Sequence, residues 1–139
     1  MVGGYMGKIL RVDLTERKVW TEDLDMNVAR KFLGGSGLAA KYLFEETSAD
    51  TDPLGPDNLL IFMTGLFTGT IVPNSGRHAV VARSPLTGIW GEGDVGGTWG
   101  VGLKKAGYDG IIVKGKASTP VYLWVHEDGV EIRDAGHLW

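Results

Sequence analysis

The chain has 139 residues, 43% of them hydrophobic, a formal net charge of −3 and no cysteine. A chain of this length buries roughly two-thirds of its unfolded surface, enough for one domain, or part of one, with a real core. The lack of cysteine excludes a disulfide framework, a thiolate nucleophile and any iron–sulfur or Cys-based zinc site within these residues, and the 14 basic residues are too scattered to give nucleic acid its electrostatic footprint.

The N-terminal "MVGGYMGKILRVDL" has no basic segment followed by an apolar run, and no apolar stretch approaches the roughly 18 residues of a membrane span. A soluble cytoplasmic protein is expected. In "GKILRVDL" (Gly7 to Leu14) Leu10, Val12 and Leu14 recur at period two, and "KVWTED" follows after Thr15-Glu16-Arg17, which predicts a β-hairpin. From Met26 the pattern is helical, with Asp23 or Asp25 as N-cap. Gly34-Gly35 ends that helix, and a second starts at Ser36 in "SGLAAKYLFEET". Its Glu45-Glu46 reads as a solvated helix end.

"SADTDPLGPDN" is a loop, "LLIFMTG" (Leu59 to Gly65) a buried strand, "LFTGTIVPNSGR" an extended loop and "HAVVARS" (His78 to Ser84) a further strand. The "PLTG" turn leads into "WGEGDVGGTWG" (Trp90 to Gly100), whose five glycines in eleven residues predict a loop. "TWGVGLKKAG" (Thr98 to Gly107) holds a short helix. Strands "DGIIVKG", "VYLWVHE" and "VEIRD" follow, the last two joined around Asp128-Gly129. This order predicts an α+β fold of mostly antiparallel sheets with a few short helices, rather than regular βαβ alternation.

Two familiar phosphate motifs fail on context. Gly91-x-Gly93-x-x-Gly96 has dinucleotide-fingerprint spacing, but "SPLTGIW" before it is not an apolar strand, and Lys114 stands near where an acid should end the next strand. Gly110 to Ala117 has Walker A spacing, yet its interior is a β-run whose amides belong to a ladder, and Ala117 replaces the magnesium-binding Ser or Thr. His78, His126 and His137 lie too far apart in sequence to suggest a metal site.

A constellation remains. Arg77 follows a Pro-Asn-Ser-Gly turn and carries planar cationic donors suited to phosphate or to a heterocycle edge. The glycine stretch allows close backbone approach, Gly96 to Thr98 stand near a helix start, and Trp90 and Trp99 bracket the stretch as walls for a flat ligand. The residues describe either a site for a large, flat, phosphorylated cofactor held by backbone, or a glycine-rich β-corner with a surface arginine.

Nearly the whole chain resembles the N-terminal domain of the aldehyde ferredoxin oxidoreductase family of tungsten or molybdenum enzymes. The likeness is carried by "GKILRVDLTERKV", "KFLGGSGLAAKYLFEE", "DPLGPDNLLIFMTGLFTGT", "GRHAVVARSPLTG" and "PVYLWVHEDGVEIRDAGHLW", and most specifically by the run from Ser84-Pro-Leu-Thr-Gly88 to Lys116. The resemblance implies that residues 1–139 form a β-sheet base for two pterin dithiolenes holding one tungsten or molybdenum. It implies cofactor contacts at Arg77, Asp94, Val95, Gly96 and Gly97, with Arg77 between a pterin and a [4Fe-4S] cluster. The Asp94 backbone carbonyl would help hold a magnesium ion bridging the pterin phosphates. Asp94 stands where the family commonly has Asn, and Val95 where it often has Ser.

By the same resemblance, the rest of the cofactor base, the cluster cysteines and the catalytic groups lie beyond Trp139, so the chain has no catalytic residue and is expected to be inactive alone. The complete enzyme would oxidise a small aldehyde to a carboxylic acid and pass electrons through the cluster to ferredoxin. Its partners would be the remainder of the same enzyme and ferredoxin, with a homodimer as an assembly and neither nucleic acid nor membrane. The alternatives are a stand-alone pterin-binding or assembly subunit, and a ring-reducing acyl-CoA enzyme subunit on the same scaffold.

Overall fold

Residues 4–126 and 128–139 are described by the computed structural model. Strands β1 (Lys8–Asp13) and β2 (Lys18–Asp23) form the expected antiparallel hairpin, its turn held by Asp13, whose carboxylate accepts from the Thr15 and Glu16 amides at 3.0 Å. Helix α1 (Met26–Phe32) is capped by Asp25, which accepts from the Asn27 amide at 2.8 Å. It stops at Leu33, whose positive φ of 63° turns the chain one residue before the expected glycines, and α2 (Gly35–Glu46) follows.

The remaining elements are β3 (Leu60–Thr64), β4 (His78–Arg83), β5 (Trp90–Val95), α3 (Trp99–Lys105), β6 (Gly110–Lys114), β7 (Val121–His126) and β8 (Gly129–Asp134). Glu127, at the end of the expected "VYLWVHE" strand, lies outside the described residues. Six strands make one sheet in the order β2-β1-β6-β3-β4-β5, antiparallel throughout except for the parallel β1–β6 pair. The expected α+β class is the observed one. Strand β6 inserts between β1 and β3, a crossover that no local pattern encodes.

Alternation along the central strands sends side chains to two faces. Ile9, Ile61, Met63, Ala79, Val81 and Ile112 share one core with Leu38, Ala39, Tyr42 and Leu43 of α2 and Ala29 of α1. Leu10, Val12 and Ile111 face the other way, onto Leu103 of α3 and the β7–β8 hairpin side chains Leu123, Val125, Val130 and Ile132. A lone two-stranded hairpin is marginal in water, so this apolar contact is what holds β7–β8 in place.

Two expectations are corrected. Trp90 to Val95 is not loop but the edge strand β5; Gly91 and Gly93 alternate with Trp90, Glu92 and Asp94, so its period of two has one face bare up to Val95 rather than an apolar face. Glu46 is not simply solvated. It accepts from both terminal nitrogens of Arg11 at 2.7 and 2.8 Å while Glu22 takes the Arg11 Nε at 2.8 Å, tying α2 to the β1–β2 hairpin.

Candidate functional site

The β4–β5 hairpin brings the sequence-predicted residues to one corner of the sheet. In its register Ala79 opposes Asp94, Val81 opposes Glu92 and Arg83 opposes Trp90, while His78, Val80 and Ala82 oppose Val95, Gly93 and Gly91. Directly opposed residues share a face. Trp90, Glu92 and Asp94 therefore lie on the α2 side, where Ser36 at the start of α2 hydrogen-bonds Glu92 and the Trp90 indole donates to Glu92 at 3.0 Å. The opposite face carries only Val80, Ala82 and two glycines, bounded at one end by His78 and Val95.

The backbone of this hairpin also has a direction. The Ser84 amide donates to Ile89 just beyond the Arg83–Trp90 pair, and the Gly65 amide donates to the Arg77 carbonyl on the β3 side. Antiparallel alternation then makes His78–Val95 and Val80–Gly93 the hydrogen-bonded pairs, and turns the N–H and C=O of Asp94 outward along the free edge of the sheet.

Beyond Val95 the chain turns through Gly96 and Gly97 into α3. Gly97 has φ of +89°, a conformation that favours glycine, whereas Gly93 and Gly96 have neither a positive φ nor any atom of the described residues within 4 Å of where a Cβ would stand. Nothing among the described residues accounts for the missing side chains at 93 and 96. A Cβ on Gly76 would lie 3.0 Å from the Gly97 carbonyl oxygen, so the turn that ends in Arg77 touches the Gly96-Gly97 turn. Arg77 is exposed; its carbonyl accepts from the Thr68 hydroxyl at 2.9 Å, and among the described residues its guanidinium has no hydrogen-bond or ion-pair partner. Arg77, Asp94, Val95, Gly96 and Gly97 thus converge.

The two tryptophans do not form one wall. Trp90 sits at the far end of β5 on the α2 side, whereas the Trp99 ring packs on the other face, 4.5 Å from the His78 ring and 5.5 Å from Phe62. Past Trp99 lies a groove of about 590 Å³ lined by Phe62, Leu103, Leu123, Trp124 and Val125. Its apolar lining suits no phosphorylated group, which leaves the Arg77 side as the polar approach.

Sequence reasoning missed two parts of this corner. His78, which the sequence sets aside only as too far from the other histidines to share a metal, is buried, and burial pushes its pKa down, against the opposing pull of the Asp94 charge. Lys104 and Asp109 form an enclosed ion pair at 2.6 Å, in which Asp109 also accepts from the Met6 and Gly7 amides and Lys104 donates to the Gly4 carbonyl. This pair fixes α3 beneath the 65–77 loop, where Gly100 lies against Thr68 and His78. Lys-x-x-x-x-Asp spacing between a helix end and a strand start was the available signal, visible only once the turn between them is known.

The arrangement offers an uncommitted cation, outward backbone donors and acceptors, and a bare flat surface. It offers no nucleophile–base pair, and among the described residues no three His, Asp or Glu side chains cluster to hold a metal ion.

Residues 9–139 match the family model of the aldehyde ferredoxin oxidoreductase N-terminal domain. The chain is 47% identical over 136 residues to the tungsten-containing aldehyde ferredoxin oxidoreductase of Pyrococcus abyssi, covering 98% of this chain and 22% of that protein. It is 45% identical to the WOR-like subunit of an aliphatic sulfonate oxidoreductase from Pyrococcus furiosus, over 97% of this chain and 22% of the relative. Among solved structures, a chain of the active-site complex BamBC of benzoyl coenzyme A reductase, in complex with 1,5-dienoyl-CoA, superposes with a TM-score of 0.97 at 40% identity, covering 99% of this chain and 21% of that one. The chain therefore spans about a fifth of the proteins it matches. It belongs to the aldehyde ferredoxin oxidoreductase family, by its N-terminal domain.

Proposed function

We propose that the corner formed by Arg77, Asp94, Val95, Gly96 and Gly97 carries part of a tungsten or molybdenum bis-pterin cofactor. The observation that carries this reading is the pair of bare positions at Gly93 and Gly96, which no φ and no neighbour among the described residues requires, beside an Arg77 guanidinium that no described residue engages. These residues fit the group: a flat ring system needs a surface without side chains, and its phosphate needs cationic and amide donors. The outward carbonyl of Asp94 supports a magnesium contact through backbone oxygen. The added negative charge of the Asp94 side chain is acceptable beside that cation and unfavourable without it.

When bound, the metal centre supplies the redox chemistry; the chain supplies binding, orientation and exclusion of water. In the complete protein, on this reading, an aldehyde is oxidised to a carboxylic acid and electrons pass through a [4Fe-4S] cluster, ligated outside this chain, to ferredoxin. Relatives named for aldehydes, aliphatic sulfonates and benzoyl coenzyme A share this same fifth of their length. The segment therefore speaks for the cofactor, and the aldehyde substrate rests on the names of several relatives. By itself, with no catalytic side chain, the segment would be inactive.

The test is elemental analysis of the natural protein that carries this chain, purified without oxygen. Tungsten or molybdenum at one per protein, with about four irons for one cluster, is expected. Protein with neither metal would contradict the proposal.

A further inference from the structure

The His78 imidazole is unusual for a buried histidine. The residue is 5% exposed, its Nδ1 is fully enclosed without a hydrogen-bond partner among the described residues, and no hydrogen bond contributes to its acidity. Buried polar atoms are normally paired, and the exceptions ask for a reason. The Trp99 ring packs in tilted contact with both Phe62 and His78, so the imidazole is held by aromatic packing rather than by polar partners among the described residues.

The surroundings fix the proton. An unpaired buried N–H is rarer than an under-satisfied acceptor, so the enclosed Nδ1 is the unprotonated nitrogen and the proton of the neutral ring belongs on Nε2. Among the described residues Nε2 has no hydrogen-bond partner and, unlike Nδ1, is not an enclosed unpaired atom. The register places His78 on the face of Val95, Gly93 and Gly91, immediately after Arg77.

We propose that His78 is a further cofactor-contacting residue: its Nε2–H donates a hydrogen bond to an acceptor atom of the pterin ring lying on the bare face of β4–β5. The inference rests on the cofactor reading given above. Packing against Trp99 pre-orients the ring, so little rotamer freedom remains to be lost when that bond forms. Neutral imidazole is also the form that burial favours.

The test uses the natural protein that carries this chain, loaded with its cofactor, and follows tungsten or molybdenum by elemental analysis and pterin by fluorescence after oxidative extraction during prolonged dialysis. His78→Phe keeps an aromatic ring on Trp99 and removes the donor; it is expected to lose metal and pterin together roughly tenfold faster than wild type. His78→Gln, whose amide reaches near the Nε2 position, should recover most of the retention. Should the phenylalanine variant not fold, the shorter His78→Asn takes its place in the comparison and is expected to lose cofactor as fast. Wild-type retention in a folded His78→Phe or His78→Asn protein overturns the inference while leaving the cofactor reading standing, and a loss that glutamine does not repair assigns His78 to packing alone. A wild-type protein devoid of both metal and pterin overturns the cofactor reading itself, and the inference with it.

Discussion

Strands β1, β6 and β3 at the centre of the sheet and the β4–β5 hairpin at its edge belong to one hydrogen-bonded layer but follow different rules. In the centre most positions are answered from within the chain: Ile9, Val12 and Ile61 are fully enclosed, and even the Arg11 guanidinium is bound by two carboxylates. On β5 all residues but Gly91 are exposed and one face has almost no side chains, so packing within the chain explains little of the sequence there. The difference separates residues that make the fold from residues that the fold holds out to something else.

That division can be broken by substitution. The largest effect is expected for Lys104→Met, which leaves the Asp109 charge enclosed without its cation and should cost about 3–5 kcal/mol, read as lost hydrogen-exchange protection in α3 and β6. Ile61→Ala opens a cavity between β3 and α2 and should cost about 2–5 kcal/mol by the same measurement. Arg77→Ala should leave stability within about 0.5 kcal/mol and yet lower cofactor occupancy of the natural protein. Unchanged occupancy and turnover would remove Arg77 from the site.

The smallest effect concerns acidity. Because burial holds the His78 pKa below its ordinary 6.5, the folded chain favours neutral imidazole. The stabilisation this gives is complete above that ordinary value and is lost as pH falls through the depressed folded value. Asp94 opposes the depression, so Asp94→Asn should move the His78 titration, followed by NMR, to lower pH. An unchanged titration would mean that the Asp94 charge does not act on His78, and an upward shift would contradict the sign of its effect.

How far the sequence was legible follows the same division. Period-two and helical patterns revealed β1, α1, β3, β4 and β6 because those elements bury apolar side chains, β2 followed as the partner of β1 in a hairpin, and Asp25 was one of the two cap candidates, Asp23 being the other. Strand β5 was not legible: its alternation sets glycine against polar residues, and a strand with a bare face looks locally like a loop. The roles of Glu46 and His78 depend on elements far away in sequence, Arg11 and Trp99. Arg77 and the glycines could be singled out from chemistry, but the choice between a cofactor site and a glycine-rich corner came only with the family resemblance.

The most direct measurement is the metal and pterin content of the Gly93→Val form of the natural protein, taken with its hydrogen exchange across β4. Valine suits an extended strand better than glycine and meets no neighbour at Cβ, so the account predicts equal or slightly greater protection together with a marked loss of tungsten or molybdenum and pterin. Full cofactor content in a protein with valine at this position would contradict the claim that the bare face of β4–β5 is where the cofactor lies.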